Sequence, residues 1–306
     1  MARITFDKPA LSLDEQIDLL ISRGLIVSCR ETVKQYLQFI GYYRFAGYWF
    51  PFQEESVLVG TNDHKFKAGT TFDQILEHYT FDRKLRVLLI DAIERIEVAF
   101  RTTLSNTMCL NHGPHWYLDE SLFLVDQYFS HERFLEKLDR YLKDNKNLPF
   151  LQHYVTKYNP PSRPPSWMMM EILPIGSISF VYQKLKHQAD RKQIAGVFGV
   201  NPRILASWIH SVAYLRNLCA HHSRVWNKVF TITPEIVKEH QGFLRHNNRF
   251  YAQSVVINAF LKIISPDSQW PIRLKELLDE HPSIPLKSMG FPENWHQEAL
   301  WQVKPE

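Results

Sequence analysis

TFDQILEHYTFDRKLRVLLIDAIERIEVAFR, residues 71–101, decides the fold class. Phe72, Ile75, Leu76 and Tyr79, then Leu85, Leu88, Leu89, Ala92, Ile93, Ile96, Val98, Ala99 and Phe100, form one long apolar stripe at the spacing that lines one side of a 3.6-residue helix. A strand would need strict alternation instead. The stripe predicts one long helix. On its polar side Asp91 to Arg95 and Glu97 to Arg101 are acidic-to-basic pairs four residues apart, the usual decoration of a solvated helix face, or else polar groups facing a cleft.

Toward the N-terminus, residues 11–40 read as two short amphipathic helices. Leu13, Ile17 and Leu20 form one stripe, Gly24 breaks it, and Val33, Tyr36, Leu37 and Ile40 form the next. Ser12 with Glu15 three residues on is a capping box for the first. Then comes a dense aromatic block, Gly41-Tyr42-Tyr43-Arg44-Phe45-Ala46-Gly47-Tyr48-Trp49-Phe50-Pro51-Phe52. Such a block builds a packed core corner; aromatics interleaved with a base also stack nucleobases. Between Val57 and Thr71 the mixture of Val, Gly, Asn-Asp and Lys predicts a short hairpin or irregular loop.

Toward the C-terminus, residues 111–126 read as a loop into a new segment and 131–143 as an amphipathic helix. Four prolines between Asn159 and Pro165 force an extended or turning path and mark an internal boundary. Helical periodicity resumes over 167–172, 178–185, 203–220, 251–264 and 270–279, and the segment beyond Pro282, rich in Pro and Trp, predicts an irregular surface tail. No internal repeat, glycine-rich phosphate loop or strand-helix rhythm is present, which disfavours an α/β nucleotide-binding fold. The expected organisation is mostly α: an N-terminal helical and aromatic region over 1–70 with a minor β hairpin, an α-helical domain over 71–280, and an irregular tail over 281–306.

Composition bounds the function. Hydrophobic residues make up 45 % of the 306, enough for a core and too much for disorder. A formal charge of +4 means that an anionic partner must meet a local patch, because the whole-molecule field is weak. Cys29, Cys109 and Cys219 are far apart and unpaired in spacing, against a disulfide framework or zinc ribbon and for a reducing compartment. The opening residues Met-Ala-Arg-Ile-Thr-Phe-Asp lack the pattern of an export signal, and no apolar run reaches the roughly 18 residues of a membrane span. A cytoplasmic protein without membrane association is expected.

The chemistry concentrates in Arg216-Asn217-Leu218-Cys219-Ala220-His221. On a helical wheel Ile204, Leu205, Trp208, Ile209, Val212, Leu215 and Cys219 form one apolar arc, with Arg216 at its edge and Asn217 and His221 beside it. If the helix continues, Arg224 falls in the same region. A charge at the rim of a buried stripe is costly unless partnered. Two partners suit Arg216: a carboxylate of the long helix, such as Glu94 or Glu97, in a purely architectural lock; or a phosphate, with His221 placed for proton transfer and Asn217 orienting the imidazole or the phosphate. Arg followed by His after four to six intervening residues arises by chance roughly two to three times in such a chain, and Arg203 with His210 also fits it; requiring Asn directly after Arg lowers the expectation to roughly a tenth. Only Arg216 passes. His112, His115, His221 and His222 form no closed ligand spacing, so no metal site is expected.

These residues resemble the HEPN superfamily, whose ribonuclease members carry Arg, a polar residue, then His. More closely the chain resembles the AbiD/AbiF-like bacterial abortive-infection (Abi) proteins. The blocks that carry the likeness are Gly41-Tyr42-Tyr43-Arg44-Phe45 with Gly47-Tyr48-Trp49, Phe81-Asp82-Arg83-Lys84-Leu85-Arg86 leading into Ile93-Glu94-Arg95-Ile96-Glu97 and Arg101, and Arg216 through Arg224 with Trp226-Asn227. They span about residues 35–230 in order.

The resemblance implies a HEPN-type helical bundle and, for active members, metal-independent RNA cleavage by attack of the ribose 2′-hydroxyl, without a cofactor. Carried over, His221 serves in proton transfer, Arg216 stabilises charge on the phosphorane and Asn217 holds geometry, with His222, Arg224 and Lys228 as substrate contacts. His222 is an alternative proton carrier. The 2′-hydroxyl requirement makes DNA a poor substrate. Active HEPN nucleases bring two such motifs together, and with one copy per chain the resemblance implies a homodimer. The alternative expectation is a non-cleaving module that holds RNA, for instance a regulatory small RNA or antitoxin, or a protein partner. A third is that Arg216 and His221 serve other acceptor chemistry or helix architecture alone.

Overall fold

A computed structural model of the chain describes residues 9–54, 64–158, 160–241, 244 and 246–302. Among them the ordered structure is almost wholly helical, with β pairing confined to isolated bridges. Contacts divide the chain into two units, Met1–Lys84 and Leu85–Glu306. The predicted long helix is one continuous element, Phe72–His112, that passes from the first unit into the second.

In the first unit, α1 (Leu13–Ser22) and α2 (Arg30–Ile40) pack together through Ile17, Leu20, Val33 and Leu37, all buried. The Ser12 capping box is present in both directions: the Glu15 amide donates to Ser12 Oγ at 3.3 Å and the Ser12 amide donates to Glu15 Oε2 at 2.7 Å. Gly41, at φ +89°, is the single residue between α2 and α3 (Tyr42–Trp49), in a conformation that side chains resist.

The aromatic block largely builds a core corner. Phe45 is fully buried and its ring lies 5.3–6.4 Å from Tyr36, Trp49, Phe72 and Tyr79. Each such pair contributes roughly 0.5–1.5 kcal/mol beyond the area it buries. Thr71 and Gln74 cap the long helix reciprocally, at 3.0 and 3.2 Å. This helix is α4 (Phe72–His112); its first turns belong to the aromatic core, which is why the first unit extends past residue 70. The expected hairpin lies partly, over 57–63, outside the described residues. Its flanks run antiparallel, with Glu54 donating to the Lys65 carbonyl and Lys67 to the Phe52 carbonyl, each at 2.9 Å.

The second unit contains the rest of α4, followed by α5 (His131–Asp144), α6 (Pro149–Lys157), α7 (Ser166–Met169), α8 (Ile175–Lys184), α9 (Gln188–Val197), α10 (Pro202–Ala220), α11 (Phe250–Ile264) and α12 (Trp270–Asp279). The α4 stripe is buried from Leu85 through Ile96 and Phe100 to Met108, but Val98, expected in it, is 51 % exposed because it falls off the i, i+3, i+4 spacing of its buried neighbours. Helix α11 is buried on nearly every side, the mark of a central helix. Its polar residues are satisfied internally: Ser211 donates to Gln253 at 2.6 Å and Asn258 to the Leu300 carbonyl at 2.8 Å.

Two sequence expectations change here. The proline-rich stretch is no boundary: the Tyr154 hydroxyl donates to the Pro161 carbonyl at 2.8 Å, and the Ser166 amide donates to the Pro114 carbonyl at 2.8 Å, tying it into the second unit. The tail beyond Pro282 is not a surface strap. It makes three 3-10 turns, and Trp301 stacks on Tyr251 and Trp270 with ring centroids 5.9 and 6.3 Å away. Large aromatic surfaces gain more from burial than irregular backbone loses, provided the turns satisfy their own amides.

Candidate functional site

Helix α10 carries the Arg216 motif in its last turn and a half. Its start is fixed locally: the Asn201 side chain accepts from the amides of Arg203 and Ile204, both at 3.0 Å, and Pro202 occupies the first helical position, where its missing N–H is not needed. Its middle packs against α8, α9 and α11 through Leu205, Trp208, Ile209, Val212 and Leu215. The wheel derived from sequence therefore describes the real buried face.

The helix stops at Ala220 without a glycine. His222 takes the left-handed conformation at φ +55°, its amide donates to the Cys219 carbonyl at 3.0 Å, and the Ser223 amide donates to the Leu218 carbonyl at 2.8 Å. This is a Schellman closure with His221 at the cap and histidine where glycine is usual. The helix therefore does not continue to Arg224, and the condition for placing Arg224 on the same arc is not met. Beyond the turn, Val225 and Trp226 plunge into the core at 0 % and 1 % exposure, and the Arg224 guanidinium lies 5.8 Å from the Trp226 ring centroid. A cation over an indole face is held by the ring quadrupole.

Asn217 and His221, four residues apart, are both exposed on one face, and Arg216 is half-buried next to them. Among the described residues Arg216 has no hydrogen-bond or ion-pair partner. The architectural alternative is not the arrangement found: Glu97 is bound to Arg101 at 2.7 Å, and Glu94 is exposed. The Arg101 guanidinium also reaches the Leu173 carbonyl at 3.2 Å and Glu171 at 3.5 Å, so α4's charges serve the helix itself and its neighbours. Asp91 likewise binds Arg95 and Arg273, both at 2.9 Å.

His222 and Arg224 lie in the turn and loop that follow α10, and half-buried Lys228 comes four residues later, its amide donating to the Val225 carbonyl at 3.3 Å. Continuity of chain thus gathers Arg216, Asn217, His221, His222 and Arg224 at one helix end. The carbonyl dipoles there repel anions, so a phosphate would have to be held by side-chain cations alone. Arg216, Arg224 and Lys228 are of the type required, and imidazole is a side chain that can accept or donate a proton.

A second polar cluster had no sequence signal. His112, at the end of α4, meets buried Asp190 of α9 at 2.8 Å, Asn111 donates to the same carboxylate at 2.8 Å, and His187 stacks on His112 at 5.9 Å. Seventy-eight residues separate His112 from Asp190. No spacing rule spans that distance. Among the described residues no three His, Cys, Asp or Glu side chains gather as a metal-ligand set, and no helix is long and apolar enough to cross a membrane.

A family model described as Abi-like protein matches residues 35–227, from the aromatic block through the Arg216 motif. The chain belongs to the Abi-like family. Family membership points to abortive infection, an antiviral defence role. Both structural units of this Abi-like chain fall partly within the matched span, as do all the candidate site residues except Lys228. No curated protein and no solved structure gives a significant match to it.

Proposed function

We propose that this Abi-like protein is an endoribonuclease of the HEPN type that acts in abortive infection, with Arg216, Asn217 and His221 as its catalytic residues. The observation that supports it best is the half-buried Arg216 guanidinium, without a hydrogen-bond or ion-pair partner among the described residues, beside two exposed polar side chains at the end of α10. A half-buried cation with no carboxylate partner among the described residues suits an anion, and phosphate is the anion that a neighbouring imidazole can help to cleave.

In this reading one His221 accepts the proton of a ribose 2′-hydroxyl while the 2′-oxygen bonds to phosphorus. The bond from phosphorus to the 5′-oxygen breaks, and that oxygen takes a proton from the second His221 of a homodimer. The products are a 2′,3′-cyclic phosphate and a 5′-hydroxyl, so no water or metal is consumed. Arg216 stabilises the charge gathered on the non-bridging oxygens, and Asn217 fixes the imidazole or the phosphate. His222, Arg224 and Lys228 hold the flanking backbone.

The test is incubation of the purified protein with single-stranded RNA in EDTA, with end-group analysis of the products. Cyclic phosphate ends that vanish in His221→Ala while the fold persists are expected. Cleavage unchanged in that variant would reject the assignment, and tight binding without products would favour a non-cleaving RNA-holding role.

A further inference from the structure

The first unit holds a cavity of about 560 Å³ between α1 and α3 that the aromatic core does not fill. Its volume is that of a small-molecule site. Tyr42, Tyr43, Trp49 and Phe50 contribute its aromatic surface, and Arg23 and Gln16 its polar groups. Phe45, Tyr48 and Trp49 of the aromatic block are buried, yet Tyr43 is 93 % exposed and Phe50 66 % exposed at this cavity. Core formation explains Phe45 and Tyr48; it does not explain two large rings left in water on the same short segment.

The polar lining narrows the ligand. Arg23 donates to the Tyr42 hydroxyl at 2.8 Å and, among the described residues, has no carboxylate partner. Among the described residues no acidic side chain lines the cavity to repel an anionic ligand. The Gln16 amide nitrogen is held by the Leu11 carbonyl at 2.9 Å, whereas its oxygen is buried with no donor. Flat rings for stacking, a cation with no carboxylate partner among the described residues and an unfilled acceptor together match a base with its phosphate. A purely apolar ligand would leave Arg23 and Gln16 unused.

We propose that this cavity binds the base of a single-stranded RNA nucleotide, stacked on Tyr43 and Phe50, with Arg23 facing its phosphate. The proposal rests on RNA being the ligand, as in the proposed function, and assigns a recognition site apart from the Arg216 motif. Binding and cleavage are therefore measured separately. Full-length His221→Ala protein is titrated with a fluorescent single-stranded RNA dodecamer, and with AMP and UMP, before and after adding Tyr43→Ala and Phe50→Ala. Because both rings are exposed, their removal leaves the core intact, which circular dichroism melting checks. The double substitution is expected to weaken dodecamer binding about 10- to 100-fold. In a second measurement, 4-thiouridine RNA is expected to crosslink within residues 42–50.

Unchanged affinity together with crosslinks elsewhere would overturn the proposal, as would binding of the mononucleotides with none of the dodecamer. Loss of affinity in a protein that never cleaves RNA would support this site while rejecting the nuclease reading. Cleavage by wild type with Tyr43-independent binding would do the reverse.

Discussion

The Ser223 amide donates to the Leu218 carbonyl at 2.8 Å, and this bond, closing around left-handed His222, ends α10 directly after the motif. It fixes where His221 stands relative to Arg216 and Asn217, because all three are measured from the same terminated turn. A left-handed residue other than glycine costs roughly 1–2 kcal/mol. The fold bears that cost at the residue beside His221.

Position 222 therefore tests the turn. His222→Gly is expected to be tolerated, while His222→Val, whose branched side chain fits the left-handed region worst, is expected to destabilise the protein by about 1–2 kcal/mol in urea unfolding. Equal stability of the two variants would show that the Schellman closure does not constrain this end of α10.

At Arg216, Ala should lower RNA cleavage by about 100- to 1000-fold without loss of stability, because no bonded partner is left behind among the described residues. Arg216→Lys should rescue poorly, since a point-charge ammonium cannot reproduce the planar fork. Melting curves and single-turnover cleavage check both statements. A large loss of stability in Arg216→Ala would reveal a structural role instead.

In the first unit, the Tyr48 hydroxyl donates to the Asp82 carboxylate at 2.6 Å, with both residues buried. Tyr48→Phe takes one donor from a buried carboxylate and is expected to cost about 1.5–3 kcal/mol, read by denaturant unfolding. An effect under about 0.5 kcal/mol would mean that the bond is replaced at no cost.

Trp301 anchors the C-terminal segment: it lies edge-on to Trp295 at 4.7 Å and donates to the Tyr251 hydroxyl at 3.2 Å. Burial pushes the Tyr251 hydroxyl up to about 12, so it stays protonated across the ordinary pH range. Trp301→Ala is expected to cost about 3–5 kcal/mol. Deletion from residue 282 onward should cost at least as much. A deletion that melted like wild type would return the segment to the status of a surface tail.

Asp139 supplies a pH signature. The Arg163 guanidinium holds its carboxylate through two bonds, 2.8 and 2.9 Å, and that hydrogen bonding, reinforced by charge attraction and opposed by desolvation, lowers the Asp139 pKa. A depressed folded-state pKa gives stability that is full above the unfolded carboxylate value and is lost as pH falls through the folded one. Because the pair is well exposed to solvent, Asp139→Asn should cost only about 0.5 kcal/mol at pH 7. The gap between variant and wild type should close below about pH 4. A gap that widened on acidification would contradict the sign.

The sequence by itself determined the helical class, the α4 stripe, the Ser12 cap and the buried arc of α10. These depend on neighbours three or four residues apart, which one helix turn brings together whatever surrounds it. It also marked Arg216, Asn217 and His221 as a group, since they lie on consecutive turns of a single element. Tertiary packing left Arg216, among the described residues, without the carboxylate that would have made it architectural, Glu97 being bound to Arg101 on its own helix. Only it separated buried Phe45 and Tyr48 from exposed Tyr43 and Phe50, neighbours in one aromatic run. The Trp-rich end became core, and His112 met Asp190, for the same reason: such contacts depend on how distant surfaces fill space, and no local periodicity encodes that.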